Sequence, residues 1–387
     1  MIISFFLLLR MNYFKQVFKG LYIAHYSLLE EKNLTTEKII TITYTLGIKR
    51  PREEHSEPVE EWISCLAFLQ QASSLKLKRI ESIMGEKDYV VGLFDGSCRI
   101  YNSSHELLHN ELFHKDCITD ASFLYVAQKC YLATTSSDQT LHLYEYESAK
   151  TPRISHIGKY KRSLSALAQN LLNERILAAG AGDGAILLWN LEPLSSLPNS
   201  EPETKHKKKK VEISEVEMKK EIIGIHTQEV TAMQFIGTNQ LLTGSLDHSI
   251  KTVDINKGTA ITSLGTNHAG VCALESTHNL VFAGLTDSTI RQWDIRENSL
   301  KKTYGEGISS WVKSVAVNPL NRNILASGSY DGKVVLWDIR GERKPLQRIC
   351  VQKDKVMAVG WNGPKKIVSG GSEGQLYVHS LTFDYAD

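Results

Sequence analysis

Seven acidic residues recur along this chain in one local frame, and that recurrence constrains the fold more than any other feature. Asp95, Asp138, Asp183, Asp247, Asp287, Asp331 and Glu373 each stand six positions before the end of a mostly apolar run, at Tyr101, Tyr144, Trp189, Val253, Trp293, Trp337 and His379. The successive gaps between the acids are 43, 45, 64, 40, 44 and 42 residues. In the fullest copy, Ser327-Gly328-Ser329-Tyr330 leads into Asp331-Gly332, and Lys333-Val334-Val335-Leu336 runs on to Trp337-Asp338. This reads as a strand, a tight turn and a second strand. The acid can accept backbone N–H groups of its own turn. Glycine beside it supplies backbone angles that a Cβ would resist. After the turn, Val334 and Leu336 alternate with Val335 and Trp337, so the second strand is apolar on both faces and packed from both sides.

A repeat of about 40–45 residues that ends in Trp-Asp marks a β-propeller blade. The seven copies resemble the WD-repeat family from about residue 60 to about residue 380. The expected fold class is all-β, a seven-bladed WD-repeat β-propeller. A closed ring can exceed the usual domain size because each blade packs only on its neighbours. Most of the 387 residues therefore belong to one domain, 61–384, with a basic insertion at 191–220 in the one long gap. Residues 49–60, with Pro51, Pro58 and several glutamates, read as a polar linker. Two segments compete for the outer strand of the seventh blade: Leu381-Thr382-Phe383, or residues of that linker arriving from the other end. One of them must close the ring to leave no free edge.

His114, His226 and His268 lie about 20–25 residues before the acids of their blades (24, 21 and 19). The resemblance implies that such a histidine hydrogen-bonds the turn acid and fixes the blade; the alternative is a ligand or catalytic role. The acids read the same way, as structural turns, because they are spread one per blade and form no catalytic pair. Blades 1, 3, 6 and 7 lack the histidine, so their networks are expected to be incomplete.

Ahead of the propeller, Lys15–Ile23, Ser27–Asn33 and Ile39–Thr45 read as a strand, a helical turn and a β-branched strand. That order resembles the second half of a ubiquitin-like domain. With Asn33-Leu34-Thr35-Thr36-Glu37 before the last strand and Glu60-Glu61-Trp62-Ile63-Ser64 opening the first blade, the chain resembles the WD-repeat subunits of the PeBoW complex, a family of ribosome-biogenesis factors. Residues 1–48 are then a partial ubiquitin-like domain, too small to be stable alone.

The resemblance implies a non-catalytic scaffold for pre-rRNA processing and maturation of the large (60S) ribosomal subunit. Its implied partners are the block-of-proliferation protein, pescadillo and midasin, on the pre-60S particle, with rRNA contact through lysine-bearing loops. It also implies that the midasin ATPase removes the complex through the ubiquitin-like domain, where Glu37 would complete the Mg²⁺ coordination of midasin's MIDAS domain; a carboxylate oxygen suits that hard cation. The plain alternative for Glu37 is an exposed acid before a strand.

Lys205, Lys207, Lys208, Lys209 and Lys210 sit in a stretch, 201–220, that holds seven lysines and five glutamates. They read as a solvated loop and as a nuclear-import signal, two compatible readings; the resemblance implies a place in the nucleolus and nucleoplasm. Trp293-Asp294-Ile295-Arg296 and Trp337-Asp338-Ile339-Arg340 resemble the box of cullin-4 ligase substrate receptors, which is the alternative function. The net charge of +2 gives little support to strong independent RNA affinity. No nucleophile elbow, phosphate loop or metal-ligand cluster occurs, so neither enzyme activity nor a cofactor is expected. Met1 to Leu9 is apolar but too short to cross a membrane. Six cysteines without CxxC spacing, at 65, 98, 117, 130, 272 and 350, read as reduced thiols.

Overall fold

The structure, a computed structural model, describes residues 52–58, 61–68, 88–126, 129–147, 150–195 apart from 171 and 174, and 214–381 apart from 267, 278 and 342. These residues form seven sheets, antiparallel except for one two-residue strand. Their inner strands are Ile63–Phe68, Ile118–Val126, Leu164–Gln169, Val230–Phe235, Val271–Thr277, Val312–Val317 and Val356–Trp361. Each inner strand contacts those of both neighbouring blades, and the first contacts the last, so the ring is closed. The core lies between blades. One apolar cluster joins Ile63, Tyr89 and Val91 of blade 1 to Val368, Leu376 and Val378 of blade 7.

Closure comes from the N-terminal side. The segment 49–60, expected as a linker, contains the strand Arg52–Pro58. It pairs antiparallel with Gln375–Ser380, from Arg52 opposite Ser380 to Pro58 opposite Gln375, and supplies the outer strand of blade 7. The propeller thus starts before residue 61. Leu381 instead follows directly on the strand Gln375–Ser380, its N–H donating to Lys365 O.

The insertion is also shorter than 191–220. Met218–Ile222 is the outer strand of blade 3. A helical turn at Glu192–Ser195 and the two-residue strand Ser214–Glu215 flank the insertion. Ser214–Glu215 pairs parallel with the outer strand of blade 2, Lys150–Lys159. Leu191, Leu194 and Val216 are buried with Trp189, Leu141 and Leu143, so the insertion leaves and re-enters the chain from the groove between blades 2 and 3.

Two positions of the repeat, both glycine in blades 1, 3, 6 and 7, do different work. The glycine of the Gly-Ser pair stands against the first residue of the next blade's inner strand. A Cβ on Gly328 would lie 2.7 Å from Val356 and 2.5 Å from Val359. Gly92, Gly180, Gly244, Gly284 and Gly370 meet Ile118, Val230, Val271, Val312 and Ile63 in the same way. The left-handed backbone belongs to the residue after the acid, such as Gly332 at φ 77°, a place that Gln139, His248 and Ser288 fill in blades 2, 4 and 5.

Every inner strand carries a bulge one residue from its start, for example between Ile118 and Asp120 and between Val230 and Ala232. Three of the extra residues carry hydroxyls that cross to the next blade. Thr119 donates to Leu164 O at 2.7 Å, Ser165 to Val230 O at 2.7 Å and Thr231 to Val271 O at 2.6 Å. These bonds stitch blades 2 to 5.

Candidate partner interface

The turns that hold the seven acids share a face with the loops that enter the inner strands. Six acids accept the N–H two residues on: Asp95 from Ser97 at 2.7 Å, Asp138 from Thr140 at 3.0 Å, Asp183 from Ala185 at 3.3 Å, Asp247 from Ser249 at 3.1 Å, Asp287 from Thr289 at 3.2 Å and Asp331 from Lys333 at 3.3 Å. Glu373, one methylene longer, accepts instead from Lys353 N at 3.1 Å.

The loop histidines of blades 2 and 4 are buried. His114 Nδ1 lies 3.1 Å from Asp138 Oδ2, and its Nε2 lies 2.7 Å from the Thr134 hydroxyl. His226 repeats this with Asp247 at 2.9 Å and Thr243 at 2.8 Å. A neutral imidazole fits both sides, with Nδ1–H donating to the carboxylate and Nε2 accepting from the hydroxyl. Burial lowers both histidines below their ordinary value, against the pull of the acids. Burial alone would raise Asp138, but the Thr140 hydroxyl, the Lys115 N–H and His114 together hold it low. Burial also pushes His142, stacked on His114 at 4.0 Å, down to about 4.

His268 does not join this pattern. It is exposed at φ 67° and faces His248. The loop entering blade 5 is one residue longer, and buried Thr266 takes the place of the histidine, its N–H donating to His248 O at 3.0 Å. The Arg291 guanidinium pairs with Asp287 in its stead. The blades without histidine use other groups. Tyr160 donates to Asp183 at 3.1 Å, and the Ser309 N–H and hydroxyl both donate to Asp331 at 3.0 Å.

A seven-fold backbone contact frames the mouth of the ring. The residue before each acid donates its N–H to the residue before each inner strand: Phe94 to Trp62, Ser137 to Cys117, Gly182 to Ser163, Leu246 to Glu229, Thr286 to Gly270, Tyr330 to Trp311 and Ser372 to Lys355. The backbone is regular, but the side chains are not. Small or aliphatic groups and one acid line blades 2 to 5, whereas blades 6, 7 and 1 bring four aromatic rings and a lysine together. Trp311 stacks on Tyr330 at 5.7 Å and Trp62 meets Phe94 edge-on at 5.4 Å. Lys355 Nζ bridges the two pairs, 5.8 Å from the Trp62 ring and 5.5 Å from the Tyr330 ring. Spacing from the acids would have found these positions in the sequence, since each precedes an acid or an inner strand by one residue.

A family model described as WD domain, G-beta repeat matches residues 220–254 and 298–338. Over nearly the whole chain, an Aedes aegypti protein named ribosome biogenesis protein WDR12 homolog is 30% identical across 359 residues, covering 90% of this chain and 79% of its own length. The chain belongs to the ribosome biogenesis protein WDR12 family. Relatives of the same name from Chlamydomonas reinhardtii and Oryza sativa subsp. japonica are 26% and 25% identical, over 91% and 90% of this chain and 83% and 80% of their own lengths.

In this WDR12-family ring, Trp337 and Trp293 end buried strands, and Trp337 Nε1 donates to Ser327 Oγ at 2.9 Å. Arg340 of the second Trp-Asp-x-Arg box forks onto Asp338 at 3.1 and 2.9 Å. Among the described residues, no three His, Cys, Asp or Glu side chains gather in a way that would hold a metal ion. Cys65, Cys98 and Cys272 are buried thiols, while Cys350 is exposed. Glu37, the segment 1–48 expected to be ubiquitin-like, Lys205, Lys207, Lys208, Lys209, Lys210 and residues 382–384 lie outside the described residues.

Proposed function

We propose that this chain is a non-catalytic scaffold in ribosome biogenesis, serving pre-rRNA processing and maturation of the large subunit in the nucleolus and nucleoplasm. The observation that carries this reading is membership of the WDR12 family, whose relatives are named ribosome biogenesis proteins, over 90% of the chain. A rigid ring with one turn acid per blade favours holding partners over chemistry. The partners in this reading are the block-of-proliferation protein, pescadillo and midasin, assembled on the pre-60S particle. Glu37 meets the midasin Mg²⁺, and Lys205 with the lysines at 207–210 serves nuclear import. The cullin-4 receptor reading is weaker, because Arg340 already spends its guanidinium on Asp338.

The test is purification of the tagged full-length chain from cells. Co-purification of pescadillo and the block-of-proliferation protein is expected. Recovery of the cullin-4 adaptor without them would replace the proposal with the receptor reading.

A further inference from the structure

The mouth of the ring over blades 6, 7 and 1 carries a seat whose chemistry is specific. Trp62 and Trp311 are 44% and 47% exposed, unusual for the largest side chain, and each is held by a partly buried ring, Phe94 or Tyr330. The backbone beneath is fixed at all three blades by the Phe94, Tyr330 and Ser372 N–H bonds. The side chains are thus presented in place before any ligand arrives, which lowers the ordering cost of binding. Exposed tryptophan and tyrosine on a rigid support are the residues that dominate protein interfaces.

Charge identifies the occupant. Lys355 lies at the centre of the seat and makes no ion pair among the described residues. The carboxylates beside the seat are committed to the protein itself. Asp331 accepts from Ser309 and Lys333, Asp354 from the Ser372 hydroxyl, Asp95 from Ser97 N and Glu61 from Trp62 N. One uncommitted cation between two apolar plates matches a carboxylate next to a large apolar side chain. RNA fits less well. A strand of phosphates needs a track of cations, and four carboxylates flank this single lysine and its rings.

We propose that this seat docks a protein segment bearing an Asp or Glu beside a large apolar residue, with the carboxylate on Lys355 and the apolar group on Trp62 or Trp311. The probe is a random-peptide display library selected on the purified full-length chain. Selected peptides are expected to share an acid next to Leu, Phe or Trp. Their affinity is expected to fall by about tenfold or more in Trp62→Ala and in Lys355→Glu, as for an interface anchor. Both variants should keep the parent's melting temperature, since the side chains are at the surface, and Lys355→Gln serves if Lys355→Glu does not fold. Peptides that lack the acid, peptides that bind Trp62→Ala/Trp311→Ala as tightly as the parent, or an oligouridylate that binds the seat more tightly than any peptide would each overturn the assignment. Because the probe is a peptide library and not an assembly factor, its failure leaves the co-purification result untouched.

Discussion

One buried imidazole holds two loops of blade 4 together. His226 joins Asp247 in the turn to Thr243 in the strand before it; Thr243 is buried, and Asp247, in a half-buried turn, has most of its carboxylate covered. Replacing His226 with Ala removes one bond to each group, Asp247 keeping the Thr227 N–H and Thr243 the Lys251 carbonyl. Losing a bond to a carboxylate and one to a buried hydroxyl costs about 1–3 kcal/mol. His268→Asn should cost less than about 0.5 kcal/mol, because His268 is exposed and Asn accepts a positive φ. Urea unfolding of the two variants beside the parent measures the contrast; equal losses would mean that His268 has a structural role after all. The two histidines stand at similar distances from their acids, and that spacing misled. The distance forward to the inner strand separates them: His114 and His226 stand four residues before Ile118 and Val230, while His268 stands three before Val271.

At the scale of the strand, the decisive contact runs from one blade to the next. Gly328 gives room to Val356 and Val359 of blade 7, so Gly328→Ala forces a methyl group to within 2.7 Å of Val356. Overpacking of this kind costs about 1–3 kcal/mol, and a lowered urea midpoint with an unchanged slope is expected. An unchanged midpoint would show that the blades slide apart freely. The period and the turn acids were legible in the sequence because they are local: an acid bonds its own turn, and the pattern repeats seven times. The role of the Gly-Ser pair was not, since a strand's neighbour in the next blade lies 26–28 residues away in the sequence, or 50 across the insertion. The same holds for Thr119, Ser165 and Thr231, whose hydroxyls bond carbonyls 40–65 residues distant. The aromatic seat was hidden for a related reason. Trp62, Tyr330 and Lys355 come from three blades, and only the closure of the ring puts them side by side.

Closure also sets the stability of the whole ring. An open row of blades has two ends, and each end blade packs on one neighbour only. Here the strand Arg52–Pro58 removes both ends at once, because it completes blade 7 just before the chain enters blade 1 at Ile63. Deleting residues 52–58 would leave Gln375–Ser380 as a bare edge whose inward residues, Leu376 and Val378, belong to the cluster shared with Ile63, Tyr89 and Val91. At roughly 0.5–1.5 kcal/mol per backbone hydrogen bond, the lost pairing costs about 3 kcal/mol or more. The damage should be local in the ring. Amide hydrogen exchange is expected to show the inner strands Val356–Trp361 and Ile63–Phe68 losing protection first, while Val230–Phe235, on the far side and stitched by Ser165 and Thr231, keeps most of its own. If protection instead fell equally in all seven inner strands, the blades would unfold as one unit whatever their neighbours. If it did not fall at all, the strand Arg52–Pro58 would not be what closes the ring.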